Sequence, residues 1–404
     1  MNLQSGTYYW PTTLTDAPTY PMLDEDIVCD VLIIGGGSSG AQCAYYLAEQ
    51  DMDVVVIEKG TIGSGSTSTN TALIQYSGEK MFTQLSNAFG SELIDRHLQL
   101  LKQAIDEIEA ASKRSPIDPE FSRRDTLYFA STQDDVKKLK DEYHLLKQHG
   151  FHLDFLTREE IAAKYPFSKE AAIYSYNDGD INPYKFSHGL MHYAQNKGVR
   201  IYERTEMNGH HFDQRENLMV VSTKTGHAIR ARHVIFAAGY EGIDLKQEKM
   251  VSFTSTYTVT TKPVDLATWY NRTLIWETAR PYIYMRTTAD NRIIIGGLDD
   301  STTYPEDRDS KLKHKAELLI QECNKRFPDI HAEAAYANAA FYGGTVDGLP
   351  IVGMYDEYPN SYFLFAFGDN GTVYSQMLSK IITEEIIQGN NKDLLLYRQD
   401  RPLI

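Results

Sequence analysis

The sequence of 404 residues contains only three cysteines, Cys29, Cys43 and Cys323. So few thiols exclude a disulfide-stapled scaffold and suit a reducing compartment. No run of about 18 or more apolar residues is present, so we expect no membrane span. Residues 1–26 also have no apolar core of the kind found in secretion signals. We therefore expect a globular, cytoplasmic protein.

Basic residues are also in short supply. Lys and Arg number 40 against 55 Asp and Glu, which gives a formal charge of −15. An acidic chain of this kind is not expected to bind nucleic acid, because that requires a basic surface. His188 and His192 are four residues apart on a predicted helix, but no third ligand has a suitable spacing, so we expect no metal site.

What the chain does have is a glycine-rich turn, residues 35–40, between an apolar run and a helical pattern. Gly35 permits a sharp turn, Gly37 lets the backbone approach a pyrophosphate, and Gly40 lets the helix pack on the sheet. Glu58 closes the next apolar run, where it can accept hydrogen bonds from ribose hydroxyls. The positive end of the helix favours phosphate. This arrangement predicts a dinucleotide-binding unit.

Further segments indicate ligand contacts and secondary structure. Residues 63–70 are small and hydroxyl-rich, which fits either a loop lying against a ligand or a flexible linker. Residues 368–371 form a second glycine-rich helix start after an apolar strand. We expect a turn at residues 178–180. Asn182 and the following proline predict the start of a helix that runs to about residue 196.

A β-rich stretch follows in the second half of the chain. Strand periodicity places Tyr282, Tyr284 and Arg286 on one face, which fits either a polar pocket or an outer, solvated face.

Taken together and in this order, these segments resemble the D-amino-acid oxidase, glycine oxidase and sarcosine oxidase superfamily of FAD-dependent oxidoreductases. The resemblance covers nearly the whole chain. It is carried by the aromatic residues at 8–10, the turn at 35–40 with Glu58, and residues 63–70, 178–183, 234–239, 292–297, 345–350 and 368–372.

The resemblance implies an α/β fold with a Rossmann-like FAD-binding domain interleaved with an α+β substrate domain. The substrate domain would contain a largely antiparallel sheet. The expected boundaries are 27–110, 170–250 and 338–404 for the FAD domain, 111–169 and 251–337 for the substrate domain, and 1–26 for an N-terminal arm.

The resemblance also implies which residues contact FAD. They are Gly35, Gly37, Ser38, Ser39, Gly40, Glu58, Lys59, Ser66, Thr67, Ser68, Ala238, Gly239, Gly368, Asp369, Asn370, Gly371 and Thr372. Relatives that attach flavin covalently use a cysteine near Ala340 or a histidine in the early loop. Neither is present here, so we expect FAD to be bound non-covalently.

The implied reaction is hydride transfer from the carbon beside a substrate nitrogen to the flavin, followed by hydrolysis of the imine. The chain departs from its relatives where they bind a substrate carboxylate. Tyr342 stands in place of an arginine, and Gln75 and Val373 stand in place of basic residues. We therefore expect an amine, or an amino compound whose carboxylate is far from the reacting nitrogen. The expected pocket residues are Tyr257, Tyr282, Arg286 and Tyr342.

Alternatives remain open. Arg280 or Arg286 could serve as a carboxylate clamp in an amino-acid oxidase or dehydrogenase. A flavin hydroxylase using NADPH shares the first signature, and its late Gly-Asp pair could be matched by Gly368 and Asp369. The chain could also be a non-catalytic FAD-binding interaction subunit. The substrate, the electron acceptor (oxygen or another) and the oligomeric state are not indicated by the sequence.

Overall fold

The structure, a computed structural model, describes residues 2–78 and 80–401. Its strands, in chain order, are β1 (Gln4–Gly6), β2 (Ile27–Ile34), β3 (Val54–Ile57), β4 (Leu73–Ile74), β5 (Ser122–Phe129), β6 (Leu153–Thr157), β7 (Ala171–Asp180), β8 (Arg200–Tyr202), β9 (Met207–Asp213), β10 (Leu218–Thr223), β11 (Ala228–Phe236), β12 (Val251–Thr261), β13 (Leu274–Glu277), β14 (Ile283–Thr287), β15 (Ile293–Asp300), β16 (Ala334–Thr345), β17 (Ile351–Gly353) and β18 (Ser361–Phe365). Its α-helices are α1 (Ser38–Leu47), α2 (Phe82–Phe89), α3 (Ser91–Arg114), α4 (Asp135–Gln148), α5 (Arg158–Lys164), α6 (Pro183–Asn196), α7 (Gly242–Leu245), α8 (Pro305–Arg326) and α9 (Gly371–Gln388).

The smaller of two sheets has a parallel centre. Two of its strands, β2 and β18, lead into the two glycine-rich turns. Its order is β17-β18-β11-β2-β3-β8, with β9 and β10 attached through β11. Alternate residues of β2 face opposite sides. Val31 and Ile33 pack in the core shared with α1, α6 and α9, whereas Leu32 and Ile34 pack in a second core. Because both faces are covered, the strands of this sheet are continuous apolar runs in the sequence.

The larger sheet has the order β1-β16-β12-β15-β14-β13-β5-β7-β4, with β6 beside β7. Among the described residues its ladders are antiparallel except for β13 with β5, so the sheet is largely antiparallel, as predicted. Helix α8 covers one face, where Leu319 and Cys323 share a core with Val259 and Ile295. The other face, through Trp276, joins the core of the smaller sheet's helices.

Local signals set the start of α6 as predicted. The Asn182 side chain accepts a hydrogen bond from the backbone N–H of Lys185 at 3.1 Å, and Pro183 occupies the first turn. The predicted turn at residues 178–180 is wrong. These residues end β7, where Asp178 pairs with β5 and Asp180 pairs with both β5 and β4. A strand can carry these polar residues because their carboxylates form hydrogen bonds with neighbouring side chains. Arg124, for example, donates to Asp180 at 2.8 Å.

The N-terminal segment packs against the larger sheet. Strand β1 pairs with β16 at the sheet edge, with Gln4 opposite Ala340. Trp10 is buried and its indole N–H donates to the carbonyl of Asn70 at 2.7 Å. The phenol of Tyr9 donates to Asp290 at 2.6 Å. These bonds hold the segment beside the early loop.

The interleaved domain boundaries stay a prediction. Strands β7 and β16 fall wholly or largely in segments assigned to the FAD domain, yet they pair within the larger sheet. Within residues 2–78 and 80–401, each helix is either too short or too polar to cross a bilayer.

Candidate active site

Two helices begin side by side beyond the ends of parallel strands β2 and β18. The hydroxyl oxygens of Ser39 in α1 and Ser375 in α9 are 2.8 Å apart. One turn further, the Cys43 sulfur lies 3.1 Å from the Ser379 hydroxyl. The unpaired N–H groups and positive dipole ends of both helices therefore adjoin a common space, which suits an anionic or electron-rich ligand.

The first glycine turn has the geometry that the sequence predicts. Gly35 has a φ of +117°, and a Cβ there would lie 2.4 Å from the carbonyl oxygen of Ala237. A Cβ at Gly40 would lie 1.8 Å from the carbonyl oxygen of Gly35, so only glycine permits this contact of helix and strand. At Gly37 a Cβ would meet only the Thr67 hydroxyl, at 3.1 Å. The backbone at Gly37 is thus left open for a phosphate to approach.

Glu58 lies at the end of β3, buried beside the turn. Its carboxylate accepts hydrogen bonds from the backbone N–H groups of Gly36 and Gly60, both at 2.7 Å. Burial raises the pKa of Glu58, and these two bonds oppose that rise. Each carboxylate oxygen keeps a further acceptor site for a ribose hydroxyl. The adjacent Lys59 pairs with Glu241 at 2.6 Å.

The hydroxyl-rich loop at residues 63–70 is a fixed part of the site rather than a flexible linker. The Thr67 hydroxyl accepts from the backbone N–H of Ser38 at 2.9 Å. The side-chain amide nitrogen of Asn70 donates to the Thr372 hydroxyl at 2.9 Å. The side-chain oxygen, Oδ1, accepts from the backbone N–H of Ala72. The loop therefore connects the starts of α1 and α9.

These elements enclose a cavity of about 700 Å³, which we call the inner cavity. Most of the predicted cofactor residues line it, namely Gly35, Gly37, Ser38, Ser39, Glu58, Lys59, Ser66, Thr67, Ala238, Gly239, Gly368, Asp369 and Gly371. The other four are held just behind them. Gly40 packs on Gly35, Ser68 donates to the carbonyl of Gly65, Asn370 donates to the carbonyl of Ser77, and Thr372 accepts from Asn70.

The end of the inner cavity remote from Glu58 is lined by aromatic and hydroxyl groups. They come from five strands of the larger sheet, β12 to β16, and from Tyr282 just before β14. They include Thr256, Thr258, Trp276, Tyr282, Tyr284 and Tyr342, together with Asp299. Tyr284 lies across Gly296, where a Cβ would be 2.3 Å from its ring, and the hydroxyl of Thr71 donates to its phenol at 3.4 Å. Burial raises the pKa of Tyr284, so its phenol stays neutral at ordinary pH.

Of the four predicted pocket residues, the structure brings Tyr282 and Tyr342 to this chamber. It does not bring Tyr257 or Arg286 there. Tyr257 faces α8 on the opposite side of the sheet, under the ammonium of Lys315 at 5.2 Å. Arg286 is buried, and its guanidinium donates to the carbonyls of Ala72 and Ile181 at 2.7 and 2.9 Å. These bonds tie β14 to the early loop and to the start of α6.

Several lining residues were not selected from the sequence. Thr256 and Thr258 flank Tyr257 in β12, so the two-residue period of a strand places them on the cavity face once Tyr257 faces the core. Trp276 is stacked on Tyr128, with ring centres 3.8 Å apart, and no motif marks it. Gln75 was noted only as a departure from relatives, and it lines the cavity.

A second cavity of about 620 Å³, the outer cavity, adjoins the first. The residues common to both are Tyr282, Asp299, Tyr342, Gly368 and Asp369. Arg280 lines the outer cavity, where its guanidinium lies over the Tyr282 ring at 4.9 Å and donates to the carbonyl of Ala279 at 2.8 Å. Within the described residues, no three His, Cys, Asp or Glu side chains are grouped to hold a metal ion.

A dinucleotide cleft between two helix starts, ending in an aromatic chamber under an antiparallel sheet, is the arrangement of an FAD-dependent oxidoreductase. Residues 30–385 match the family described as "DAO: FAD dependent oxidoreductase". The chain therefore belongs to this family and is a flavoprotein enzyme that uses FAD.

Individual proteins are similar to this chain in sequence or in fold. "Gamma-glutamylputrescine oxidoreductase" of Escherichia coli (strain K12) is 24% identical over 96% of this chain and 90% of its own. The "Putative Rieske 2Fe-2S iron-sulfur protein YhfW" of Bacillus subtilis (strain 168) is 29% identical over 63% of this chain, and the match spans only 49% of that protein's length. Among solved structures, glycine oxidase from Geobacillus kaustophilus superposes with a TM-score of 0.77 at 21% identity, covering 93% of this chain and 100% of its own. That likeness shows a shared mixed α/β fold.

Proposed function

We propose that this protein oxidises the C–N bond of an amine, or of an amino compound whose carboxylate is remote from the reacting nitrogen. The observation that carries the proposal is the lining of the inner cavity. Among its described residues Lys59 is the only cation, and it lies at the nucleotide end, paired with Glu241. A carboxylate beside the reacting nitrogen requires a cationic partner when it is buried, so this lining favours a substrate without one.

Bound FAD would serve as the two-electron acceptor for a hydride from the carbon beside the nitrogen. The remaining steps on the substrate need no further cofactor, whereas a repeated turnover needs an electron acceptor, oxygen or another. Once its carbon has given up a hydride, the neutral amine loses one proton to solvent and becomes a neutral imine. Water adds to the imine, and the resulting carbinolamine releases ammonia to leave the carbonyl product. The chain's own residues must bind the amine, hold its C–H bond in position and exclude other water.

The chamber supplies groups for those tasks. Asp299 provides a carboxylate that attracts an incoming ammonium group. The hydroxyl oxygens of Thr256 and Thr258 can accept N–H groups of the amine once it is neutral. The rings of Trp276 and Tyr284 form apolar walls that orient the carbon chain. The start of α9 provides positive dipole at the edge of this space, which suits the negative charge of a reduced flavin.

The names of the relatives support the same chemical class. The Escherichia coli relative is named for oxidation of gamma-glutamylputrescine, and the structural neighbour for oxidation of glycine. Both compounds carry an oxidisable C–N bond. Of these two, gamma-glutamylputrescine carries a primary amine far from its carboxylate, which is consistent with the lining of this cavity.

An anaerobic screen tests the proposal. The purified protein with FAD bound is mixed with alkylamines, diamines and α-amino acids, and the absorbance of the oxidised flavin is followed. We expect amines to bleach the flavin faster than α-amino acids do. Bleaching by NADPH alone would instead support the hydroxylase alternative, and an unchanged spectrum with every amine and amino acid would contradict the proposal.

A further inference from the structure

The first strand of the chain forms part of the wall of the inner cavity. Asn2, Leu3 and Gln4 line the cavity, together with Ala340 and Phe341 of the neighbouring strand β16. In the larger sheet β1 is the edge strand, and it pairs with β16. The sequence predicted these residues only as part of an N-terminal arm. The structure makes them part of the site that suits FAD.

Strand β1 is held to the sheet by a short ladder. The ladder comprises three residue pairs. At one end the backbone N–H of Phe341 donates to the carbonyl of Leu3 at 2.8 Å, and beyond the other end the backbone N–H of Thr7 donates to the carbonyl of Ala337 at 2.8 Å. An edge strand of this length can detach while the rest of the sheet stays folded, because local opening costs much less than global unfolding.

Two consecutive residues of α8 bind β1 from the face of the sheet that lies away from the inner cavity. Asp309 accepts a hydrogen bond from the hydroxyl of Ser5 at 2.5 Å. Arg308 is buried and donates through Nη1 to the carbonyl of Asn2 at 3.2 Å. The Nε group of Arg308 also donates to Asp309 at 2.8 Å, which orients both side chains. Strand β1 therefore lies between α8 and the inner cavity.

The other end of the N-terminal segment is bonded to the hydroxyl-rich loop. The indole N–H of Trp10 donates to the carbonyl of Asn70 at 2.7 Å, and the guanidinium of Arg286 lies over the Trp10 ring at 5.2 Å. The side-chain amide of Asn70 donates in turn to the Thr372 hydroxyl at the start of α9. Residues 2–10, which we call the strap, therefore run from the edge of the larger sheet to the loop that joins the two helix starts.

We propose that the strap retains FAD, because β1 closes the inner cavity and must detach from β16 before FAD can leave. Strand β16 also carries Tyr342 of the aromatic chamber, so the closure lies at the chamber end. FAD is expected to be bound non-covalently, and the protein then keeps it only by releasing it slowly. A wall that is rarely open lowers the release rate in proportion to the fraction of molecules that are open. This inference depends on the use of FAD and is independent of the substrate.

Gly6→Ala detaches β1 without altering a residue of the cavity lining. Gly6 has a φ of +97°, and a Cβ there would lie 2.3 Å from the carbonyl oxygen of Ala337, so alanine disfavours the pairing. Gly226→Ala is the matched control, since Gly226 has a φ of +91° in the turn between β10 and β11 and its Cβ would meet nothing within 4 Å. We expect FAD release to be about tenfold faster in Gly6→Ala and unchanged in Gly226→Ala. The fluorescence of free FAD after dilution of the holoprotein measures the rate.

A disulfide that locks β1 to β16 tests the same step in the opposite direction. Ser5 and Ala339 are opposite each other in the ladder, and both lie on the face covered by α8. Opposed residues of an antiparallel ladder have Cα atoms roughly 4.5–5.5 Å apart, a distance that a disulfide spans. The native cysteines are buried. We expect FAD release from the oxidised variant with Ser5→Cys and Ala339→Cys to be about tenfold slower than from the same variant after reduction with dithiothreitol.

The two experiments are independent. The oxidised and reduced forms of the double variant have the same sequence, so their comparison holds even if Gly6→Ala folds poorly. Equal FAD release in the two redox states would overturn the inference, because β1 would then not limit the passage of FAD. Equal acceleration by Gly6→Ala and Gly226→Ala would also overturn it, since backbone strain anywhere in the chain would be the cause. Neither result bears on amine oxidation, which the anaerobic screen tests separately.

Discussion

At the scale of single residues, we expect Gln75, which lines the inner cavity, to influence which substrates fit. Its amide nitrogen donates to the carbonyl of Ser77 at 3.2 Å, which fixes the orientation of the amide group. The other end, Oε1, is buried and has no hydrogen-bond partner among the described residues. Resemblance to the sarcosine branch places a basic residue at this position. A neutral amide in its place leaves the inner cavity without a partner for an adjacent carboxylate.

Gln75→Lys should therefore shift selectivity towards α-amino acids. We expect the ratio of kcat/KM for glycine or sarcosine to that for hexylamine to rise about tenfold, because one charge-assisted contact is gained. Steady-state or anaerobic reduction kinetics measure the ratio. Gln321→Lys, an exposed site on α8, adds the same charge away from the cavities and should leave the ratio unchanged. Equal ratios in both variants would show that Gln75 does not face the substrate.

Glu58 is expected to affect the binding of the cofactor rather than the choice of substrate. Its two bonds to backbone N–H groups of Gly36 and Gly60 hold the carboxylate at the cavity wall. Glu58→Gln keeps the shape but removes the charge and one acceptor, so we expect the Kd for FAD to rise about tenfold. Fluorescence titration of apoprotein measures this. Glu206→Gln, at a cavity residue paired with Lys224, should change the Kd less than twofold, about 0.4 kcal/mol.

At the scale of elements, the packing of α1 on β2 depends on Gly40. A Cβ there would lie 1.8 Å from the carbonyl oxygen of Gly35. Because this oxygen belongs to the backbone, relieving the clash would require an energetically costly shift of the turn. Gly40→Ala should therefore cost about 1–3 kcal/mol of unfolding free energy and weaken FAD binding, since the helix start is displaced. Gly209→Ala is the matched control, because its nearest neighbour is the end of a flexible side chain, Ser222 Oγ at 3.3 Å.

Denaturant unfolding and FAD titration measure both variants. A loss of stability in Gly40→Ala without any loss of FAD affinity would contradict the proposed link between the turn and the cofactor. Equal effects in the two alanine variants would show that the contact with Gly35 is not the cause.

Elements with strong local signals were predictable from the sequence. Elements that depend on packing against segments distant in the chain were not. The start of α6 follows from Asn182 and Pro183, whose capping requires no distant contact. Helix α8 was not predicted. It has Pro305 and acidic residues at its start, but its apolar stripe is narrow, with Ala316, Leu319 and Cys323 as its buried apolar residues. Its periodicity is therefore weak.

The candidate site divides in the same way. The turn at residues 35–40 is predictable because each glycine has a local steric reason. Trp276 is not, since its place beside the cavity depends on parallel pairing of β13 with β5, two segments far apart in the chain. Arg286 was assigned to the correct face of β14, but its carbonyl partners, Ala72 and Ile181, come from other segments and could not be read from periodicity.

At the scale of the whole molecule, one buried carboxyl group makes stability depend on pH. Asp178 is fully buried opposite Arg124 in the ladder between β7 and β5, and the Thr126 hydroxyl donates to it at 2.6 Å. Burial raises the pKa of Asp178 to about 7, against roughly 3.9 in an unfolded chain. Between these two values the folded protein holds a proton that the unfolded chain has released. Its contribution to stability is therefore largest at low pH and is lost as pH rises through about 7.

Asp178→Asn removes this titration while keeping an acceptor for Thr126. We expect the Tm of the wild type to fall between pH 5 and pH 8 by several degrees more than that of Asp178→Asn, so that the variant gains relative stability at the higher pH. Asp141→Asn, at an exposed site on α4, is the control for losing a negative charge from an acidic chain, and its Tm should follow the wild type. Scanning calorimetry across this pH range measures all three. Parallel Tm profiles for the wild type and Asp178→Asn would mean that Asp178 is already ionised in the folded protein at pH 5, with its charge balanced inside the sheet.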